Sequence, residues 1–369
     1  MQNLRMVDLY GQYLRIKDEI DGAIQEVLNS TAFINGPQVA EFRSRLAEFL
    51  RVKHVISCAN GTDALQIALM ALDLQPGDEV ITPDFTFIAT VEVVALLGLK
   101  PVIVDVDPDT YNIDPEQVSK AITPRTKVII PVHLFGQCAD MSSLMRIAEE
   151  YNLHIIEDAA QALGATYNDG QLSGKAGTLS AIGCTSFFPS KNLGCFGDGG
   201  AIFTDDDSLA EKMAAICNHG AKVKYHNDII GVNSRLDTLQ AAILSVKLKY
   251  LDEYAAARQK AADYYNRHLN FSDKVITPVV SPWTDHVYHQ YTLKIAEGRD
   301  ELKKFLSDKG VPSMIYYPVP MHGQKAYKAG GSFPVSDSLA QTVLSLPMHT
   351  ELKTEEQDYI CTSIKEFYK

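Results

Sequence analysis

The chain has 369 residues, of which 46% are hydrophobic and 22% charged, so it is long enough for two globular domains. Its formal net charge of −12 argues against nucleic acid as a partner, because phosphate backbones are bound by basic surfaces. The six cysteines lack metal-binding spacing, no apolar run is long enough for a membrane span, and the start lacks the apolar core of a signal peptide. We therefore expect a cytoplasmic protein with reduced thiols, no metal and no membrane partner.

The first two predicted elements are amphipathic helices over 16–29 and 39–50, joined by a loop that contains Asn35-Gly36-Pro37. Short apolar strands then alternate with helices. The strands are predicted over 55–58, 79–81, 102–105, 127–132 and 153–158, and the helices over 63–72, 88–97, 115–122 and 141–151. This alternation predicts a parallel sheet covered on both faces.

Two more strands, over 180–187 and 200–204, follow without a long helix between them, so part of the sheet should be antiparallel. A long helix over about 234–268, straight or bent, is expected to lead into a smaller unit. That unit is predicted to contain strands over 290–295 and 312–317, a helix over 300–309 and a closing helix over 354–367.

Lys191 lies between the apolar strand 180–187 and a glycine-rich turn. Burial on the strand side disfavours the ammonium form, and the glycines let a ligand approach the backbone. Such an amine can form a Schiff base with a carbonyl cofactor, above all pyridoxal 5'-phosphate (PLP). A lone lysine beside a turn is usually a solvated surface charge, so the hypothesis depends on the residues that accompany it.

Asp158 and Phe87 follow strands whose carboxyl ends should lie at one edge of the sheet, where open α/β sheets bind ligands. The carboxylate could pair with a protonated pyridine nitrogen, and the aromatic ring could lie over a flat cofactor. Each also has a plainer interpretation, since Asp158 could cap a turn and Phe87 could pack in the core.

The segment Asn60-Gly61-Thr62-Asp63 joins a predicted strand to a predicted helix. Glycine allows close approach, and the free N–H groups of the first helical turn, with the Thr62 hydroxyl, favour a phosphate. The same residues suit an ordinary helix N-cap. From these residues alone both interpretations stay open.

The segment 231–242 is predicted to open the long helix, with Asn233 or Ser234 as its N-cap and Arg235 in its first turn. The plain interpretation is a capped helix with a surface arginine. The functional one makes Asn233 a phosphate ligand and Arg235 an anion clamp.

Taken together and in order, these segments resemble the DegT/DnrJ/EryC1/StrS family of PLP-dependent nucleotide-sugar aminotransferases. The resemblance runs nearly end to end and is carried by residues 33–37, 60–65, 83–87, 157–161, 186–191, 231–240 and 316–318. It implies an α/β protein of PLP fold type I, which is aspartate aminotransferase-like. A large PLP-binding domain (1–250) would hold a mostly parallel seven-stranded sheet, and residues 251–369 would form a smaller α+β domain.

The resemblance also implies residue roles. Lys191 would carry PLP as an internal aldimine and later move the proton, with Asp158 at the pyridine nitrogen. The other implied cofactor ligands are Gly61, Thr62 and Ser186 at the phosphate, Gln161 near the ring hydroxyl, Phe87 on the ring, and Asn233 from a neighbouring subunit. Because the family builds its sites at a dimer interface, a homodimer is implied.

The Asn-Ser-Arg-Leu-Asp segment at 233–237 resembles members that aminate carbon 3 of a 3-keto sugar. Other segments resemble bacterial enzymes acting on UDP-2-acetamido-3-keto-glucuronic acid, which implies amino transfer from L-glutamate through pyridoxamine 5'-phosphate in surface-polysaccharide (O-antigen, lipopolysaccharide) biosynthesis. The candidate substrate-binding residues are Arg235, Tyr316, Tyr317, His322, Thr31 and Phe33. Arg235 could bind a sugar carboxylate or a diphosphate, and His322 could equally be a surface loop histidine.

Three alternatives stay open at this point. The first is a dTDP-3-keto-deoxyhexose 3-aminotransferase. The second is a PLP-dependent sugar dehydratase, although some dehydratase relatives carry histidine where this chain has Lys191. The third is a non-catalytic regulatory homologue, which the presence of every residue that the chemistry needs disfavours.

Overall fold

The computed structural model describes residues 4–223, 225–327 and 330–369. Three helices precede the central sheet: α1 (Leu9–Arg15), α2 (Lys17–Ser30) and α3 (Pro37–Leu50). Helices α2 and α3 confirm the prediction, whereas α1 was not predicted. α3 begins at Pro37, where the missing N–H of proline costs no helical hydrogen bond.

The central region alternates strands and helices as predicted. Its elements are β1 (His54–Cys58), α4 (Gly61–Ala71), β2 (Glu79–Pro83), α5 (Ala89–Leu96), β3 (Lys100–Val104), α6 (Pro115–Ala121), β4 (Thr126–Ile129), α7 (Met141–Tyr151), β5 (His154–Asp158), β6 (Thr166–Asn168), β7 (Ser173–Lys175), β8 (Ile182–Ser186) and β9 (Gly200–Thr204). β6 and β7 pair as a separate two-stranded hairpin.

The main sheet has seven strands in the order β1-β9-β8-β5-β4-β2-β3. β9 runs antiparallel to both of its neighbours, and the other paired strands run parallel. The predicted mostly parallel seven-stranded sheet is therefore confirmed, including its antiparallel part. Because β1, β2, β5 and β8 point the same way, their carboxyl ends lie at one edge of the sheet.

The rest of the chain adds further helices and a small sheet. In order these are α8 (Asp207–Cys217), β10 (Ala221–Val223), β11 (His226–Asn227), α9 (Thr238–Leu248), α10 (Leu251–Leu269), β12 (Val275–Ile276), β13 (Tyr291–Ile295), α11 (Arg299–Asp308), α12 (Pro334–Thr342), β14 (Val343–Leu346) and α13 (Thr354–Phe367). The antiparallel sheet β12-β13-β14 packs with residues of α10, α11 and α13 in an apolar cluster.

The predicted helix over about 234–268, straight or bent, is interrupted in the structure and begins later than predicted. It is two helices, separated at Lys249–Tyr250, and the first begins only at Thr238, with Asp237 in the N-cap position. Tertiary contacts hold the preceding residues out of the helix. The Ser234 amide donates to the Cys217 carbonyl, and the Ser234 hydroxyl accepts the amide of Ala59.

The predicted strand 312–317 is also wrong, because only an isolated bridge between Met314 and Ser345 forms there. Pro312 and Pro318 have no N–H to donate, so this segment cannot continue a strand ladder on both sides.

Candidate active site

A cavity of about 930 Å³ lies at the sheet edge where the carboxyl ends of β1, β2, β5 and β8 meet. A volume of this size suits a cofactor with part of a substrate. The cavity brings together most of the predicted site residues: Gly61, Thr62, Phe87, Asp158, Gln161, Ser186, Lys191, Tyr316 and Tyr317. The structure thus joins segments that are up to about 250 residues apart in the sequence.

Lys191 is in a loop after β8 and is partly buried. Burial lowers the pKa of its amine to about 8, and the negative charge of Asp158 opposes that shift. The loop is held by the Lys191 amide, which donates to the Phe188 carbonyl (2.8 Å). Lys191 can therefore present a neutral, nucleophilic amine to the cavity near neutral pH.

Asp158 ends β5 and is only 7% exposed. Thr90 donates its hydroxyl to one carboxylate oxygen (2.8 Å), and the Ala160 amide donates to the other (3.2 Å). Burial raises the pKa of Asp158, whereas these two hydrogen bonds and the charge of Lys191 lower it. Sequence reasoning missed Thr90, whose role appears only when α5 is placed beside β5.

The start of α4 forms a close-fitting cradle with Ser186. A Cβ atom on Gly61 would lie 2.6 Å from the Ser186 Cβ, so this approach requires glycine. Asn60 caps the helix by accepting the Asp63 amide (2.8 Å), which leaves the Gly61 and Thr62 amides without an acceptor inside the helix. The N-cap and phosphate interpretations are compatible, and these donors fit the phosphate of PLP.

Gln161 is held in one orientation by two hydrogen bonds. Its Oε1 accepts the Phe135 amide (2.8 Å), and its Nε2 donates to the Tyr317 hydroxyl (3.0 Å). The Phe87 ring is 54% exposed and lies 6.3 Å from the Tyr317 ring, centroid to centroid. An exposed aromatic ring at a cavity wall is available to a flat ligand rather than used in the core.

His289 is a cavity residue that the sequence reasoning did not identify. It is 6% exposed, and its Nδ1 has no hydrogen-bond partner in the part of the chain that the structure describes. Burial lowers the pKa of this imidazole well below its usual range, so the ring is neutral. A buried, unpartnered ring nitrogen beside a cavity fits a site that a polar ligand completes.

Five predicted site residues do not line the cavity of this single chain: Thr31, Phe33, Asn233, Arg235 and His322. Thr31, Phe33 and Asn233 are exposed. Arg235 lines a separate pocket of about 290 Å³ and donates to the Asn218 side-chain oxygen (3.3 Å). His322 has its ring nitrogens near the carboxylates of Asp84 and Asp337.

Residues 14–365 match the model of the DegT/DnrJ/EryC1/StrS aminotransferase family. The chain belongs to this family. It is similar to UDP-2-acetamido-2-deoxy-3-oxo-D-glucuronate aminotransferase of Pseudomonas aeruginosa, with 50% identity covering 98% of this chain and 99% of the relative. A pleiotropic regulatory protein of Geobacillus stearothermophilus is 49% identical, over 100% of this chain and 99% of its own. The structure of S. venezuelae DesV in complex with a ketimine intermediate superposes with a TM-score of 0.96 at 40% identity, covering 100% of this chain and 99% of that one.

Family membership confirms three predictions: the aminotransferase activity, the dependence on PLP and the type I fold. The residues of the cavity fit the cofactor, since they supply a neutral amine, a buried carboxylate, a glycine cradle with free amides and an exposed ring. Within the described ranges, no cluster of three or more metal-ligating side chains is found. None of the described helices has the length and apolar character needed to cross a membrane.

Proposed function

We propose that this chain transfers an amino group from L-glutamate to the 3-keto carbon of a nucleotide-linked sugar, specifically UDP-2-acetamido-3-keto-glucuronic acid. One observation carries the proposal: Lys191 and Asp158 share a cavity in a chain that is 50% identical to an aminotransferase named for that substrate. We place the reaction in the cytoplasm, in the biosynthesis of a surface polysaccharide such as O-antigen. The six cysteines, all free, support a reducing compartment.

We propose the following roles for the residues of the cavity. Bound PLP supplies an electrophilic carbonyl and a ring that withdraws electrons. Between turnovers, Lys191 would be bonded through its Nζ to the carbonyl carbon of PLP. During the reaction, the same Nζ would take and return the proton at the reacting carbon. Asp158 would hold the pyridine nitrogen protonated, and Gln161 would lie near the ring hydroxyl. Gly61, Thr62 and Ser186 would hold the phosphate, with Phe87 stacked on the ring.

The charge of the cavity supports a second copy of the chain as part of the site. The described lining residues include Asp63, Asp158 and Asp198 but no arginine, whereas a sugar diphosphate carries negative charge. We propose a homodimer in which Asn233 of one subunit reaches the other subunit's cofactor phosphate and Arg235 binds the substrate's anion.

Surface features support the same dimer. Phe188 lines the cavity and is 53% exposed, and Ile230, close to Asn233 in sequence, is 86% exposed. Exposed apolar side chains that come together in a patch mark interfaces, so we propose that the second subunit covers these two. Thr31 and Phe33 would lie on the nucleotide side, and Tyr316 and Tyr317 would contact the sugar.

We place the domain boundary at residue 250, where α9 ends and α10 begins, giving domains 1–250 and 251–369.

The test separates the two half-reactions. Adding L-glutamate to the PLP-loaded protein should replace its long-wavelength absorbance with the shorter-wavelength band of pyridoxamine 5'-phosphate. Adding the UDP-linked 3-keto sugar acid should then restore the first band and yield a 3-amino sugar. A response to the dTDP-3-keto-deoxyhexose instead would reassign the substrate, and a deoxygenated product without an amino donor would indicate a dehydratase.

The name of the Geobacillus relative favours one further candidate, a regulatory protein. A regulator that keeps PLP without turning over would show the first band and ignore both L-glutamate and every keto sugar nucleotide tested. Turnover at ordinary enzyme rates would exclude a purely regulatory role.

A further inference from the structure

His322 is held on two sides by carboxylates. Its backbone amide donates to Asp84 Oδ1 (2.8 Å), and its ring Nδ1 lies 2.7 Å from Asp84 Oδ2. On the other side its Nε2 lies 3.3 Å from Asp337 Oδ1. The ring also stacks on Phe333, with 4.7 Å between centroids and 18° between planes. Nδ1 is therefore committed to Asp84, and Nε2 faces the carboxylate of Asp337 and not the cavity.

The Asp84–His322 pair joins two stretches of the cavity wall. Asp84 follows β2 and is fully buried, and it directly precedes the segment that places Thr86 and Phe87 at the cavity. His322 is in the short 3₁₀ helix Met321–Gly323, which follows the cavity-lining residues 314–318. The two segments also share a backbone bond, from the Met321 amide to the Asp84 carbonyl (2.9 Å).

The aromatic side chains of these two segments meet at the cavity. The Tyr317 ring lies 5.9 Å from that of Phe85 and 6.3 Å from that of Phe87. Tyr317 in turn accepts the hydrogen bond from Gln161. A shift of segment 314–323 would therefore move Tyr317 relative to Phe87 and Gln161 together.

We propose that His322 is a positioning residue, which, through Asp84, clamps segment 314–323 against segment 83–87. The clamp fixes Tyr316 and Tyr317, which form the aromatic wall that the sugar nucleotide contacts. This inference rests on the proposed function in one respect, namely that the wall contacts a sugar nucleotide. It differs from the role that the sequence suggested, since His322 acts on the substrate through the wall and not by touching it.

The burial of Asp84 explains why the contact between the two segments depends on the imidazole of His322. Burial raises the pKa of Asp84, and the amide and ring of His322 oppose that rise, with a smaller contribution from Ser336. If the imidazole is removed, the buried Asp84 carboxylate loses a hydrogen-bonding partner. Either water must then replace that partner or segment 314–323 must move. Replacing Asp84 by asparagine in the same protein removes the buried charge and should let the segment close again.

The test compares His322→Ala, His322→Asn and the double variant Asp84→Asn/His322→Ala. In His322→Ala, deuterium exchange of the amides in 314–323 should become roughly tenfold faster or more, while the central strands stay protected. The sugar half-reaction should slow by about 10²-fold, because small misplacements of a binding wall have effects of that size. The L-glutamate half-reaction should change by less than about threefold.

The asparagine variant keeps a side-chain donor for Asp84 and should recover most of both losses. The double variant should recover part of them, and these two proteins carry the comparison if His322→Ala does not fold. His54→Ala is the matched control: its Nε2 also pairs with an aspartate, Asp207 (2.6 Å), but on the surface, and both readouts should stay at the unmodified level.

Unchanged exchange in His322→Ala would overturn the clamp. A second result would also overturn it: the His322→Asn protein shows normal exchange, but its sugar half-reaction is as slow as that of His322→Ala. The imidazole would then act on the substrate directly. If the unmodified protein shows no turnover but the exchange pattern is as expected, the clamp stands and the proposed function fails.

Discussion

Burial lowers the pKa of two lysines, Lys191 and Lys247, to about 8 in each case. Lys191 lines the cavity and faces the charge of Asp158. Lys247, on α9, is 2% exposed and donates its Nζ to the Gly194 carbonyl (2.6 Å), with the Phe196 ring 5.6 Å away. The pKa values of the two amines are similar, so what separates these lysines is access to a ligand and a neighbouring carboxylate.

Lys247 also stabilises the loop that carries Lys191. Gly194 is three residues after Lys191 in the same loop, and a Cβ there would lie 2.3 Å from the Pro189 carbonyl oxygen, so the loop is tightly folded. Lys247 gives this loop a donor from the helix below it. A lowered lysine pKa thus indicates a buried amine in both cases. It indicates a candidate catalytic residue only for Lys191, because that amine adjoins a cavity.

Lys191→Ala should have the largest effect, and it tests directly whether access to the cavity distinguishes Lys191 from Lys247. Turnover should fall by roughly 10³-fold or more, because the variant lacks the amine that we propose as nucleophile and proton carrier. The long-wavelength absorbance should not form when PLP is added. If it does form, Lys247 or another lysine can reach the cofactor, and the distinction by access is wrong.

Asp158→Asn should have the next largest effect, since it removes the carboxylate that Lys247 lacks. We expect kcat to fall about 10²- to 10³-fold, in the range seen when one preorganised electrostatic group is lost. Because the Asp158 charge raises the pKa of Lys191, this variant should also lower that pKa below its present value of about 8. Steady-state kinetics and a pH titration measure the two effects, with the surface variant Asp207→Asn as the control.

The pH dependence of PLP uptake by the apoprotein tests whether the pKa of Lys191 is lowered. Only the neutral amine attacks the carbonyl, and the pKa of Lys191 lies near 8 instead of 10.5. The rate should therefore rise with pH and level off near pH 8, falling about tenfold per unit below it. Stopped-flow absorbance from pH 6 to 10 would show this, and a midpoint near 10.5 would mean that Lys191 is solvated.

Lys247→Met should have the smallest effect on chemistry. It leaves the Gly194 carbonyl without its donor, which should cost about 1–3 kcal/mol of unfolding free energy. The absorbance of bound PLP should remain, because the amine that binds it is unchanged. Urea unfolding and an absorbance spectrum test this, with Lys249→Met, an exposed neighbour on the same segment, as the control.

Predictions from the sequence succeeded where the signal is local. The alternation of apolar runs with helices encodes burial on both faces, so the parallel core of the sheet followed from it. The strand ends then predicted Asp158 and Phe87 at one edge, and the structure places Lys191 in the same cavity. The prediction failed at 234–237, where hydrogen bonds to Cys217 and Ala59 outweigh a continuous helical pattern, and at 312–317, where the prolines prevent a ladder.

The sequence by itself therefore determined the class of fold and singled out Lys191, Asp158 and the Asn60-Gly61-Thr62 turn as candidates, because each depends on residue type and on its position in a strand–turn–helix unit. Only the tertiary structure decided what surrounds them. Among the described residues, it brought Thr90 to Asp158, left a His289 ring nitrogen at the cavity without a partner, buried Lys247 beneath the loop that carries Lys191 and paired His322 with Asp84. These are contacts between segments far apart in the chain, and no local pattern encodes such distances.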